Sequence, residues 1–208
     1  TSAVAIAAAL DAACDIYTDV DGVYTTDPRI TQRARRMARI SYEEMLEMAS
    51  LGAKVLQTRS VELAMAKKVP VRVLSSFVEP GDPNPGTIVC DEEDIVEKQI
   101  VSGIAYSRDE AKVTLLGVQD HPGIAAEIFG RLADAGVNVD MIVQNEARTP
   151  GAVNMIFTVA DRDATRAQDI MNAGKAAIGF EAVQIRRDVS KVSVIGVGMR
   201  SHVGVART

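Results

Sequence analysis

The chain has 208 residues, 47% of them hydrophobic and 25% charged, with a formal net charge of −5 at pH 7; a chain of this size and composition forms one large globular domain or two small ones. The negative charge, and the absence of a Lys/Arg stripe with interleaved aromatic residues, argue against nucleic-acid binding. No apolar run reaches the ~20 residues that span a bilayer, and the two distant cysteines, Cys14 and Cys90, favour a cytoplasmic protein over a disulfide scaffold.

Helical and strand patterns alternate in the first half of the sequence. We predict, in chain order, a helix at residues 3–13 with Ser2 as its N-cap, a strand at 14–18, a helix after Ser41, a second helix at 53–68, and a strand at 69–74. Ser41 and Glu44 have the spacing of a capping box. The helix that they begin places Met45, Met48 and Ala49 on one face, which we expect in the core. This β-α-α-β order suits a mostly parallel sheet flanked by helices.

A polar loop at residues 17–29 follows the first predicted strand and combines two acids, a Gly turn and an Asp-Pro-Arg corner. Because ligand sites in open α/β sheets lie outside the carboxyl ends of strands, we predict that this loop holds a ligand. Asp19 can accept hydrogen bonds from a ribose or an adenine amine, and Arg29 can bind phosphate oxygens. Lys54, near the predicted helix start at 53, can share a polyphosphate with helix N–H groups. The alternative is that the loop forms only tight turns and that Asp19 caps a neighbouring group.

The pattern changes after residues 79–98, which form a turn-rich and acidic boundary. Beyond it we predict strands at 112–118, 138–144, 154–160 and 182–187 and helices at 124–135 and 165–173. Ile124, Ile128, Phe129 and Leu132 share one face of the first of these helices. The order strand-helix-strand-strand-helix-strand is the split β-α-β arrangement of ferredoxin-like folds.

An internal repeat duplicates the first strand and loop of this second half. Residues 112–118 match residues 191–197, and after a two-residue insertion His121, Gly123 and Ala125 match His202, Gly204 and Ala206. The second copy stops before the helix and strands that would cover its apolar strand. We therefore expect it to pack on the first copy, on residues 99–107 or on another subunit.

The loop at residues 119–125 has the features of a site for a free amino acid. Pro122 suits a first helical turn, and Gly123 lets a ligand approach the backbone. Free N–H groups there can hold a carboxylate while Asp120 takes an ammonium. Asn138, Asp140 and Gln144 are expected to add polar groups near the same end of the sheet. The alternative is an ordinary helix start with Asp120 as its N-cap.

Three segments of the first half resemble the ATP-binding part of aspartokinases, which belong to the amino-acid-kinase superfamily: the loop 18–29, the segment 41–60 with its Gly52-Ala53-Lys54 run, and residues 69–76. The resemblance implies an aspartate kinase that transfers the γ-phosphate of ATP, supplied with Mg²⁺, to the side-chain carboxylate of L-aspartate. That reaction is the entry step to lysine, threonine and methionine biosynthesis. The resemblance also implies ATP contacts from six residues: Thr18, Asp19, Tyr24, Arg29, Lys54 and Val55.

The second half resembles the tandem ACT domains with which aspartokinases sense effectors. The resemblance implies part of a three-layer αβα amino-acid-kinase domain at 1–95, in which residues 87–90 still form a strand. It also implies a linking strand at 96–111, a ferredoxin-like βαββαβ ACT domain at 112–187 and the start of a second ACT domain at 188–208. It implies that lysine or threonine binds between ACT units, paired in a homo- or hetero-oligomer, around Asp120, Gly123, Ile124, Ala125, Asn138, Val139, Asp140 and Gln144. Val203 stands where the first copy has Pro122, so the second loop departs from the first.

Two catalytic segments of that family, a Lys-Phe-Gly-Gly segment and a Gly-rich Ser-Asp loop, are not found in these 208 residues. We therefore place no catalytic residue or metal ligand in this sequence. We expect these residues alone to be inactive, because phosphoryl transfer depends on positioning and charge stabilisation by such groups. Two other interpretations are a non-catalytic regulatory subunit that binds amino acids and a kinase for glutamate or uridylate; the ACT repeat argues against the latter.

Overall fold

The computed structural model describes residues 1–78, 85–95 and 100–200. The chain divides into two compact units: a first unit of Thr1–Tyr106 with Val192–Thr208, and a second unit of Ser107–Lys191. Each unit is an α/β structure built on its own four-stranded sheet. Within the described ranges, no helix has the length and apolar character needed to cross a membrane.

The first unit carries a four-stranded mixed sheet. Its elements are α1 (Ser2–Ala9), β1 (Cys14–Thr18), β2 (Arg39–Ser41), α2 (Tyr42–Ser50), α3 (Thr58–Lys67), β3 (Val71–Ser75) and β4 (Thr87–Cys90). The strand order is β1-β3-β4-β2, in which β1 and β3 are parallel, β2 and β4 are parallel, and β3 and β4 are antiparallel. The predicted sheet was mostly parallel; β4 reverses because the short stretch from β3 to β4 leaves no room for a crossover helix.

Two helices of the first unit are shorter than predicted. α1 ends at Ala9 instead of residue 13, because the chain turns at Asp11, which has a φ of 51°. Its N-cap is Thr1 and not Ser2. α3 begins at Thr58 instead of residue 53, because Gly52, with a φ of 117°, ends α2 and sends the chain into a loop.

The capping box that begins α2 is confirmed. The Ser41 hydroxyl accepts a hydrogen bond from the Glu44 backbone N–H at 3.2 Å, and the Glu44 carboxylate accepts one from the Ser41 backbone N–H at 3.4 Å. Met45 and Met48 are buried and Ala49 is partly buried, so the predicted apolar face of α2 lies in the core. Cys14 is also a buried core residue and has a free thiol.

The second unit has the predicted ferredoxin-like order. Its elements are β5 (Gly103–Gln119, which starts in the first unit), α4 (Ile124–Asp134), β6 (Val139–Glu146), β7 (Ala152–Ala160), α5 (Ala164–Ile178) and β8 (Ala182–Ile195, which ends in the first unit). The sheet order is β6-β7-β5-β8. α5 continues past the predicted end at residue 173 and ends at Gly179, a C-cap in the left-handed conformation with a φ of 73°.

The core of the second unit lies between its helices and its sheet. Ile128 and Leu132 of α4 are fully buried, as is Phe157 of β7. Phe129 meets Phe157 edge-on, with ring centroids 5.5 Å apart. This edge-to-face contact adds to the area that the two aromatic rings bury. The four apolar positions predicted to share one face of α4 therefore all pack on this core.

The second copy of the repeat is not a new strand but the end of β8. One of the three predicted supports is confirmed, because residues 100–102 hold it. The Ser102 N–H donates to the Ile195 carbonyl at 2.8 Å, Ile195 is fully buried, and a Cβ on Gly196 would lie 2.3 Å from the Ile100 carbonyl oxygen. The matching positions His202, Gly204 and Ala206 lie outside the described residues.

Removing the central aromatic ring of the second unit should destabilise it strongly. We expect Phe157→Ala to lower the free energy of unfolding by about 3–5 kcal/mol, because the variant loses buried area and leaves a cavity. Urea unfolding followed by circular dichroism measures the loss, and hydrogen exchange assigns it to residues 107–191. The control Ile142→Ala, at a position that is 50% exposed on β6, should change stability by less than about 0.5 kcal/mol. Equal effects of the two substitutions would contradict this description of the core.

Candidate functional site

The loop that follows β1 is fastened to the sheet by one buried hydroxyl. Thr87 of β4 is fully buried; its Oγ1 accepts from the Val23 N–H at 2.8 Å and donates to the Met37 carbonyl at 2.6 Å. Gly22 approaches so closely that a Cβ would lie 2.6 Å from the same oxygen. Residues on both arms of the loop are therefore held on β4, and only glycine fits at position 22.

The polar end of β1 lies beside the end of β3, as the rule for sites in open sheets predicts. Thr18 is paired in register with Ser75 on the parallel neighbour. The Ser76 N–H and hydroxyl both donate to the Thr18 carbonyl, at 2.8 and 3.0 Å. The Thr18 hydroxyl donates to Asp19 Oδ1 at 3.1 Å, and Asp19 is exposed. An acid and a hydroxyl are thus presented together at this edge of the sheet.

Arg29 is oriented by a carboxylate two residues before it. Its Nε and Nη2 donate to Asp27 at 3.1 and 2.9 Å, and its backbone N–H donates to Asp27 Oδ1 at 2.8 Å. These bonds, led by the side-chain bond from Arg29, lower the pKa of Asp27 to about 2. The Arg29 side chain is 88% exposed, and its Nη1 has no hydrogen-bond partner in the described parts of the chain. The guanidinium is therefore held along one edge and accessible along the other.

Asp19 and Arg29 belong to one electrostatic environment. The pKa of Arg29 is raised first by its hydrogen bond to Asp27 and then by the charge of Asp27, with a smaller contribution from Asp19. In the same loop, the Tyr24 hydroxyl donates to Asp21 at 3.0 Å, and Arg36 pairs with Asp21 at 3.3 Å. Burial, and next the bond to Asp21, raise the pKa of Tyr24.

Lys54 and Val55 lie on a second loop, residues 51–57, between α2 and α3. The expectation that Lys54 stands at a helix start is wrong, because α3 begins four residues later, at Thr58. The free N–H groups of α3 therefore cannot share a ligand with Lys54 in one turn. Lys54 is exposed and Val55 is partly buried, and the Lys54 ammonium has no partner among the residues that the structure describes.

Tyr106, which the sequence did not single out, contacts both loops. Its hydroxyl donates to Asp27 Oδ2 at 3.2 Å. Its carbonyl oxygen lies so close to Gly52 that a Cβ there would be 2.9 Å away. Tyr106 is 79 residues from Asp27 in sequence, so no local pattern could have found this contact. Arg29 and Lys54 therefore lie on loops that share a support.

The start of α4 in the second unit differs from the alternative that we gave for Asp120 and from the position expected for Pro122. The N-cap is Gly123, with a φ of 93° and no side-chain cap bond, so the alternative with Asp120 as N-cap is wrong. Pro122 precedes the first helical residue, Ile124, and so lies outside the first turn. The Asp120 N–H donates to the Gly151 carbonyl at 3.0 Å, and its side chain is exposed. Among the residues that the structure describes, no heavy atom outside residues 122–124 lies within 4 Å of the place where a Cβ on Gly123 would stand.

Asn138 and Asp140 do not lie near Asp120, which corrects our expectation. β5 and β6 are both antiparallel to β7, so they run in the same direction and β6 starts at the far end of the sheet. Val139 and Ala111 both pair with Val159 at that far end. There the Asp140 carboxylate accepts from Lys191, which also pairs with Glu110 at 3.4 Å.

The eight predicted effector residues therefore form separate groups in one chain. Ile124, which is buried, and Ala125, which is exposed, lie with Asp120 and Gly123 at the start of α4. Asn138, Val139 and Asp140 lie at the start of β6. Gln144 pairs with Met155, between the two ends.

Comparison with known proteins assigns the two halves to two families. The model of the amino acid kinase family matches residues 1–75, and the model of the ACT domain matches residues 112–178. Aspartokinase of Pseudomonas aeruginosa is 53% identical over 209 residues, covering 99% of this chain and 50% of that protein. Aspartate kinase of Pseudomonas putida is 52% identical over 208 residues, covering 99% of this chain and 49% of that protein. The chain spans about half the length of the curated relatives that it matches.

Solved structures show the same likeness. Aspartokinase III of E. coli in complex with aspartate and ADP, in the R-state, superposes with a TM-score of 0.78 at 30% identity, over 99% of this chain and 45% of that chain. The same enzyme in complex with lysine and aspartate, in the T-state, gives a TM-score of 0.73 at 32% identity, over 93% of this chain and 42% of that chain. Aspartate kinase of Clostridium acetobutylicum shares the fold, with a TM-score of 0.83 at 22% identity over 99% of this chain and 46% of that chain.

The Asp27–Arg29 pair should be visible as a displaced titration. In carbon-detected NMR, Asp27 should titrate with a midpoint of about 2, and Arg29→Ala should move the midpoint up toward the ordinary value of about 3.9. Because the folded-state pKa is depressed, the pair's contribution to stability is present above about pH 4 and is lost as the pH falls toward 2.

A matched control is Arg72→Ala, which breaks a similar two-bond Arg–Asp pair, that of Arg72 with Asp15, in the same unit. It should leave the Asp27 midpoint at about 2. An Asp27 midpoint that does not respond to Arg29→Ala would show that the pair does not form in solution.

Proposed function

The chain belongs to the aspartokinase family, and we propose that the protein of which it is part transfers the γ-phosphate of ATP to the side-chain carboxylate of L-aspartate, giving ADP and 4-phospho-L-aspartate. One observation carries the proposal. Two accessible cations, Arg29 and Lys54, extend from loops that both rest on Tyr106, and Arg29 also interacts with the charge of Asp19, which follows β1. This arrangement suits a polyphosphate that approaches a sheet edge.

In the proposed nucleotide site, one group of residues binds the nucleoside and another binds the phosphates. Thr18, Asp19 and Tyr24 offer a hydroxyl, a carboxylate and a phenol, which match the hydrogen-bonding groups of a ribose and an adenine. Arg29 and Lys54 oppose the charge of the phosphates, with Val55 beside Lys54 on the same loop. ATP would bind as its Mg²⁺ complex, in which the cation would offset part of the phosphate charge.

Asp27 gives Arg29 its role in this mechanism. Phosphoryl transfer is accelerated chiefly by positioning and by charges that are already in place when the transition state forms. Asp27 uses Nε and Nη2 of the guanidinium and fixes its plane, which leaves Nη1 for a phosphate oxygen. The ordering of this long side chain is therefore completed before ATP arrives, which lowers the entropic cost of binding.

The proposed regulation uses the second unit. A free amino acid, lysine or threonine, would place its ammonium at Asp120 and its carboxylate at the N–H groups around Gly123, where the backbone is open. The start of β6 lies at the other end of the sheet. A complete site therefore pairs the α4 end of one ACT unit with the β6 region of another, which requires an oligomer. Such a ligand regulates only if it binds one of two states of the assembly better than the other.

The proposed reaction and its place in the cell define the assay. We place the activity in the cytoplasm, at the first step toward lysine, threonine and methionine. The groups expected to bind aspartate were not found in these 208 residues, so the full-length protein is the object to test. Its activity should consume ATP only when L-aspartate is present, and hydroxylamine should trap the acyl phosphate as a hydroxamate.

Removing either cation should weaken ATP binding. We expect Arg29→Ala and Lys54→Ala each to raise the KM for ATP about 10- to 100-fold, the equivalent of a lost charge-assisted hydrogen bond of about 1.5–3 kcal/mol. The control is Arg33→Ala, an exposed arginine in the same loop region, which should leave the KM within about twofold. ATP consumption that does not depend on aspartate would contradict the proposed reaction, and an unchanged KM in both variants would contradict the proposed site.

Effector binding should depend on Asp120. Calorimetric titration of the full-length protein with lysine and threonine, separately and together, should detect binding of at least one of them. Asp120→Asn should weaken that binding about 10-fold or more, because it removes the counter-charge for the ammonium. Asp134→Asn, at an exposed acid at the other end of α4, is the matched control and should have no effect. Equal affinity in wild type and Asp120→Asn would rule out this location.

A further inference from the structure

We propose that Glu44 is a positioning residue for ATP binding: through Ser102 it fixes residues 102–106, the stretch of chain on which both loops of the proposed nucleotide site rest. The inference rests on the proposed kinase function and extends it to a residue that is not expected to touch a substrate. We call residues 102–106 the strut. The strut is also where the chain leaves the first unit along β5.

Glu44 has more hydrogen bonds than a capping box requires. Its carboxylate is buried, at 8% exposure, and its Oε2 accepts from the backbone N–H and the hydroxyl of Ser41, at 3.4 and 3.1 Å. Its Oε1 accepts from the Ser102 hydroxyl at 2.5 Å and from the Val197 N–H at 3.1 Å. Half of the carboxylate therefore stabilises the start of α2, and the other half joins α2 to two segments that are distant in sequence.

Ser102 transmits this anchoring to the strut. It is 9% exposed, and its N–H donates to the Ile195 carbonyl at 2.8 Å, so its backbone and its side chain are both held. The next residue, Gly103, packs where a Cβ would lie 3.1 Å from the Thr25 carbonyl oxygen and 3.2 Å from Cε of Met48. A shift of the strut would therefore collide with α2 or with the loop that carries Arg29.

The other end of the strut supports both loops. The Ile104 N–H donates to the Thr25 carbonyl at 2.7 Å. The Tyr106 hydroxyl donates to Asp27, the acid that orients Arg29, at 3.2 Å. The Tyr106 carbonyl lies against Gly52, two residues before Lys54. The distance between the two cations thus depends on a strut whose first residue is held by Glu44.

This connection predicts a specific kinetic effect. A strut that is free to move would leave each loop folded but would misplace Arg29 and Lys54 relative to each other, which weakens binding of a ligand that needs both. In the full-length protein we expect Ser102→Ala to raise the KM for ATP about 10-fold, the equivalent of about 1.4 kcal/mol, with kcat within about twofold and the KM for L-aspartate unchanged. Ser102→Thr, which keeps the hydroxyl, should restore the KM for ATP to within about twofold of wild type.

The matched control is Ser50→Ala, which also removes one serine hydroxyl bond on the first unit, that to the Glu47 carbonyl at 2.8 Å, but touches no part of the strut. It should leave the KM for ATP unchanged. Glu44→Gln should resemble Ser102→Ala, because glutamine can still complete a capping box but offers only one acceptor oxygen to donors on two sides. Hydrogen exchange without ATP should be faster in Ser102→Ala at residues 25–31 and 51–57, and unchanged at 124–134.

The possible results separate this inference from the proposed function. A wild-type protein without aspartate-dependent ATP consumption would overturn the kinase proposal and, with it, this inference. An active wild type in which Ser102→Ala has a normal KM for ATP would overturn the role of Glu44 and leave the kinase proposal standing. A lower kcat with unchanged KM values would place the effect on the transition state instead of on ATP binding and would overturn the inference. The same exchange rates in both loops would reduce the bond to a structural one and would also overturn it.

Discussion

The first unit depends on a buried carboxylate that joins three distant parts of the chain. Glu44 starts α2, and it also receives Ser102 and Val197. Burying a charged group is unfavourable unless it is fully hydrogen-bonded, and four donors to one carboxylate meet that condition. A buried carboxylate that needs four hydrogen bonds tolerates few arrangements of its neighbours. We regard this need as the reason why the strut has one defined place beside α2.

The positive charge of the candidate nucleotide site comes from side chains and not from a helix terminus. Neither Arg29 nor Lys54 stands at the start of a helix, since α3 begins only at Thr58. The positive end of a helix dipole therefore does not add to their charges. Their placement comes from two different supports: Asp27 sets the plane of Arg29, and the contact between Gly52 and Tyr106 sets the loop of Lys54. Such a site is sensitive to backbone shifts of the supports, because two flexible cations must reach one ligand.

The features that could be predicted from the sequence are those that depend on residues close together in the chain. The capping box at Ser41, the strand at Cys14–Thr18 and the βαββαβ order each rest on a pattern within one element or between adjacent ones. The helix ends that were predicted wrongly have local causes, at Asp11 and Gly52, but two other features needed long-range information. The position of Asn138 depends on the direction of β6 relative to β5, and the role of Tyr106 depends on a contact across 79 residues. Neither leaves a local signal, because sheet order and loop packing are decided by the tertiary fold.

The two copies of the repeat lie on β5 and β8, the strands that connect the two units. The first copy continues backward along β5 to the strut, and the second copy is the end of β8. These two segments meet inside the first unit, where Ser102 binds Ile195 and where Glu44 binds both Ser102 and Val197. The chain therefore enters and leaves the second unit through segments that one carboxylate holds. Glu44, which we propose to position the loops that carry Arg29 and Lys54, therefore binds residues next to both connections between the units.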